Sequence, residues 1–155
     1  MLAVSTAVFA DVSKKDQEFF TKAAGGGMYE VEAGKLAQSK GQTDGVKSFG
    51  GMLVKDHGAA NAELKALASK KGATLPPGLP DEKQKKLDTL SKTKDFDKEF
   101  VKEVGLDDHK ADIALFEKTS KDADDADLKA FAAKTLPTLK MHKEHAEGLN
   151  KGAKR

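Results

Sequence analysis

Along most of the chain, apolar residues recur every three or four positions, and short breaks rich in Gly, Pro and Asp interrupt the pattern. That period marks helices with one buried face. No stretch of four to eight residues alternates as a half-buried strand does. The first predicted helix spans Ser13–Lys40, with Asp16 and Glu18 in an acidic first turn and Gly41 as its stop. The second spans Asp44–Lys71, capped by Thr43 or Asp44 and stopped by Gly72. After Leu75-Pro76-Pro77-Gly78-Leu79-Pro80, Asp81 caps a short helix over Glu82–Lys92. The third long helix covers Asp95–Lys121. The run Asp122-Ala123-Asp124-Asp125 is then a turn and cap, without the glycine and distal Glu of a calcium loop. The fourth covers Ala126–Leu149, with Pro137 inside it expected to cause a kink.

Four helices of about 25 residues, each about 37 Å long, make an all-α four-helix bundle over residues 11–150. The connection between the second and third is longer, contains prolines and carries the short helix. It either crosses the length of the bundle, as in ferritin-like topology, or folds back locally; the pattern allows both.

On helical wheels each long helix offers one ionisable residue to its apolar face. His57 sits amid Val46, Phe49, Leu53, Ala60, Leu64 and Leu67. His142 lies within the stripe of Leu128, Phe131, Ala132, Leu139 and Ala146, with His145 at its edge and more exposed. Glu30 borders the small-residue face of Phe19, Ala23, Gly27, Gly34 and Ala37. His109 is surrounded by Leu106, Ile113 and Phe116, but Phe96, Phe100 and Val104 define nearly the opposite face. A bulge of π type near Gly105 would return His109 to the core.

Glu30, His57, His109 and His142 fall at similar depth, so they form a candidate metal site of three imidazoles and one carboxylate. Asp56 and Asp108 are candidates to support a histidine of a neighbouring helix through its other ring nitrogen, and His145 is an alternative ligand. The donor set suits one divalent transition ion, Zn, Fe, Cu or Mn. The same pattern also supports a hydrogen-bonded core cluster, an ionised Glu30 with protonated histidines, that only fixes helix register. The need of a ferritin-type di-iron centre for Glu-x-x-His speaks against one here. The positions three before His57, His109, His142 and His145 hold Val54, Leu106, Leu139 and His142.

Composition narrows the function classes. Lys plus Arg is 27 against 25 Asp plus Glu, which removes the basic excess that nucleic-acid binding needs. There is no Cys, hence no disulfide, thiolate ligand or cysteine nucleophile. No Ser-His-Asp order, phosphate loop or carboxylate pair marks an enzyme, although a three-His set can leave a coordination position open. The Lys-rich surface and the basic tail over 151–155 read first as a solvated charged face, with contact to an anionic envelope component as the alternative. Residues 1–10, Met1 to Ala10, are uncharged, and Val8 and Ala10 stand where a signal peptidase reads small residues. They read as the remnant of a signal peptide, which implies an exported, periplasmic protein. No later run approaches a membrane span.

The pieces Glu30-Val31-Glu32-Ala33-Gly34-Lys35-Leu36-Ala37, Val46-Lys47-Ser48-Phe49, Asp56-His57, Phe96-Asp97, Asp108-His109, Ala114-Leu115-Phe116 and Leu136-Pro137-x-Leu139-x-x-His142 occur in one order along the chain. Together they resemble the bacterial domain-of-unknown-function family 4142. The resemblance implies a ferritin-like bundle and an extracytoplasmic location, carries no established reaction, and marks Glu30, His57, His109 and His142 as the positions to watch.

Overall fold

The computed structural model describes residues 11–153, so the signal-like segment and the last two residues of the basic tail lie outside the described residues. Helix α1 (Lys14–Lys40) is capped by the Ser13 hydroxyl, which accepts from the Asp16 amide. Helix α2 (Asp44–Lys71) is capped by Thr43 and ends at Gly72, whose φ of 75° is the left-handed conformation that glycine adopts freely. Helix α3 (Asp81–Ser91) lies in the connection that follows. Helix α4 (Phe96–Phe100), a π-helical segment (Val101–Asp108) and α5 (His109–Asp122) form one continuous rod. Helix α6 (Ala126–Gly152) is capped by Asp125, which accepts from the Leu128 amide, and runs unbroken through Pro137.

Polar contacts at the two ends set the directions of the rods. At one end Lys15 of α1 meets Asp124 after α5, and Lys71 of α2 meets Asp127 of α6. At the other, the Asp97 carboxylate of α4 accepts from the amides of Gln42 and Thr43 between α1 and α2. Hence α1 and α6 run one way, and α2 and the α4–α5 rod run the other. The chain between Gly72 and Asp95 therefore travels the full length of the bundle. It does so along α1, where Thr74 bonds Gln17 near one end and the Ser91 carbonyl accepts from Lys40 near the other. This is the ferritin-like alternative of the two that the sequence allowed.

Helices α1 and α2 cross at Gly34 and Gly50. A Cβ on either would stand 2.6 Å from the other's carbonyl oxygen, so only glycine permits the contact. Two apolar clusters fill the interior. One gathers Phe19, Phe20, Leu64, Phe116, Phe131 and Leu139. The other gathers Tyr29, Phe49, Leu53, Phe100, Val104 and Ala146. Glu30, His57, His109 and His142 each stand between members of these two clusters on their own helix, and all are buried. The polar residues thus form a layer between two apolar halves.

Candidate metal centre

The π-helical segment resolves the conflict of phase in the third rod. Phe96, Phe100 and Val104 are buried at steps of four; the next buried positions on that face are His109, a step of five, and Phe116. One extra residue in the turn rotates everything after it by about 100°. His109 thereby reaches full burial, and Ala111, which would continue the face of Phe96, Phe100 and Val104 in an unbroken α-helix, is left exposed. The expected bulge near Gly105 is an eight-residue π segment. Its wider turn also puts the Val104 carbonyl within 2.8 Å of His109 Nδ1.

Nitrogens of His57, His109 and His142 converge, one from each ring, all within 4.8 Å of one another, and the three could hold a metal ion. The ring centroids are 5.2, 5.3 and 5.5 Å apart. The partners of the outward nitrogens settle which nitrogens carry hydrogen. His109 Nδ1 faces a carbonyl, an obligatory acceptor, so that nitrogen donates. His142 Nε2 lies 2.8 Å from Asp56 Oδ2 and donates to that carboxylate. In neutral rings the remaining nitrogens, His109 Nε2 and His142 Nδ1, are then bare lone pairs, and they face each other at 3.1 Å. For comparison, two ligands on a tetrahedral ion with bonds of about 2.0–2.1 Å stand about 3.3 Å apart. His57 Nε2 is buried with no hydrogen-bond partner.

Burial disfavours the charged form of each ring. It pushes His57 well below the usual imidazole range. It takes His109 down to about 4, the bond to Val104 offsetting part of the effect. His142 is lowered by burial too, against the opposing pull of Asp56. Glu30 is driven the other way, well above the carboxylate range, first by burial and then by the charges of Asp112 and Asp108. The alternative expectation of an ionised Glu30 among protonated histidines runs against both directions.

The structure brings in the expected residues unequally. Glu30 is in the layer but not in the convergence: Oε1 sits 3.8 Å from His109 Nδ1, the nitrogen committed to Val104, and Oε2 has no partner. The converging set is therefore three histidines, because α1 approaches His109 from the side of the ring that faces away from His142. Asp56, on the neighbouring helix, accepts a hydrogen bond from His142. Asp108 instead pairs with Lys86 of α3. His145 is half-buried, stacks on Phe49 at 5.2 Å and 18°, and is not in the converging set.

Some participants were not singled out from the sequence. The Val104 carbonyl is a backbone group and leaves no trace in residue types. Asp112, three residues after His109 and so on the same helical face, could have been found from phase; burial and the Asp108 charge raise it to about 6. The Tyr29 hydroxyl is buried without a partner, and Lys83 and Lys86 of α3 lie over its ring at 5.4 and 5.1 Å.

No helix among the described residues is long and apolar enough to cross a membrane. Comparison with curated proteins and with solved structures gives no match. The family resemblance is borne out by a family model that matches residues 3–149, and the chain belongs to that family, Domain of unknown function (DUF4142).

Proposed function

We propose that this chain is an exported helical-bundle protein that holds one divalent transition-metal ion through His57, His109 and His142, in a storage, buffering or stress role. The observation that carries the reading is the pair of facing nitrogens, His109 Nε2 and His142 Nδ1, with their outer nitrogens committed to acceptors. Two facing lone pairs repel unless something positive stands between them. A shared proton would serve, but burial disfavours the imidazolium at every one of the three rings. A metal ion between the rings would give a nitrogen of each of the three histidines a partner at once. With Glu30 turned to the back of His109, the donors are nitrogens only, which favours Zn, Cu or Fe over Mn. Export rests on the character of residues 1–10.

The test is elemental analysis of protein purified without a histidine tag, alongside a His57→Ala/His109→Ala double variant. The expected result is about one equivalent of metal in the parent, lost in the variant, together with a rise in Tm on adding the ion back. Absence of metal from both after soaking, with melting unchanged by chelation, overturns the reading. It would leave a polar layer that fixes the register of the helices.

A further inference from the structure

The three histidines supply three nitrogens, and among the described residues no fourth His, Asp, Glu or Cys joins their set. A four-coordinate ion held there keeps one position for a ligand from outside. The surroundings provide a route to it. A groove of about 260 Å³ between α2 and α6 reaches both His57 and His142 and is bordered by Asp56, Ala60, Thr135 and Thr138. Its sides are single helical faces: Asp56, Ala60 and Glu63 on α2, and Thr135, Thr138 and His142 on α6, at spacings of three and four. Glu63 and Lys134 pair at 3.0 Å along it. Behind His57 a pocket of about 20 Å³, room for about one water, is bordered by Asn61, Asp112 and Thr135.

Charge favours what would enter. Three neutral imidazoles leave a divalent ion with no negative charge in its own ligand set, the Asp56 carboxylate acting only through its hydrogen bond to His142, and an anionic fourth ligand would halve the ion's charge. Glu30, on the other side of His109, faces the nitrogen committed to Val104 and not the converging ones.

We propose that the groove between α2 and α6 is a binding site for a small anion, which replaces water on the fourth position of the His-bound metal. The proposal rests on the metal-binding reading above. The exchange needs no redox partner: a metal–oxygen bond to water breaks, a bond to the anion forms, and water leaves by the groove.

Cobalt(II) with azide is the probe. The untagged chain is loaded with Co(II), uptake is measured by equilibrium dialysis, and the visible bands are followed as azide is added. The expected result is a saturable band shift. Ala60→Leu fills the groove three residues beyond His57, so it should keep Co(II) uptake while weakening azide about tenfold or more. Thr138→Leu obstructs the same groove from α6 and serves as the second variant if the first does not fold. A Co(II) protein whose spectrum ignores azide overturns the proposal, as does an azide response unchanged in both variants. Failure to take up Co(II) at all overturns the metal-binding reading itself, and dialysis separates that outcome from the others.

Discussion

Gly105 in the π-helical segment lies so close to Ala146 of α6 that a Cβ at position 105 would stand 2.6 Å from the Ala146 Cβ and 3.2 Å from Phe49 Cε1. Neither neighbour is the flexible end of a long side chain. Gly105→Ala should therefore push the segment away from α6 and destabilise the protein by about 1–3 kcal/mol. Chemical denaturation measures this. Ala146→Gly in the same chain should recover part of the loss, because it removes the atom that is struck. Additive effects of the two substitutions would mean that the segment does not depend on this contact.

Asp56 holds His142 in the tautomer that turns Nδ1 toward His109. Removing such an outer partner typically costs 10–100-fold in metal affinity. Asp56→Ala should show that loss in a competition titration against a chromophoric chelator. Asp56→Asn, whose amide oxygen can still accept from Nε2, should stay within about tenfold of the parent. Equal losses in the two variants would show that the charge matters and the hydrogen bond does not.

Asp112 gives a pH-dependent prediction. Its carboxyl is raised from 3.8 to about 6, chiefly by burial and then by Asp108. The folded state therefore binds this proton more tightly than the unfolded chain. The stability it contributes is complete below about pH 3.8 and is lost as pH rises through about 6. Asp112→Asn removes that dependence. It should stabilise the protein at pH 7 by about 3 kcal/mol and leave it unchanged near pH 3.5, read from urea midpoints. The histidines have the opposite sign in metal-free protein. Their lowered values mean stability that is present above about pH 6.5 and lost as pH falls toward about 4, where His109 titrates. A gain for Asp112→Asn that is equal at both pH values would contradict the assignment.

At the far end of the bundle, the buried Asp16 carboxylate accepts from the amides of Asp124 and Asp125, at 3.0 and 2.8 Å. It ties the start of α1 to the turn between α5 and α6. Asp16→Ala leaves two amides without their acceptor and should cost about 2–3 kcal/mol. Asp16→Asn keeps one oxygen acceptor and should cost less. Hydrogen exchange at residues 124 and 125 should quicken in the alanine variant before exchange in the helices does.

The four rods and their breaks were legible in the sequence because they depend on local rules. Apolar spacing, the Thr43 and Asp125 caps, and Gly72 in its left-handed turn act within a few residues of themselves. The inward placement of His57 and His142 was legible for the same reason, since phase on a helix is a local property. Even the break near Gly105 could be read, because two apolar stripes on one rod cannot both face one core without an extra residue between them.

Only the tertiary structure decided the rest. The crossover along α1 depends on where α3 finds apolar surface, which no local pattern states. Glu30 has the right phase and depth for a ligand. Yet what its carboxyl meets depends on how α1 is seated against α5, and that seating places it behind His109. The pairing of Asp56 with His142 and of Asp108 with Lys86 likewise separates two Asp-His dipeptides that are identical in sequence. Residue types and spacing brought the histidines to one layer. The π turn and the packing of α2 on α6 determined which of their nitrogens meet.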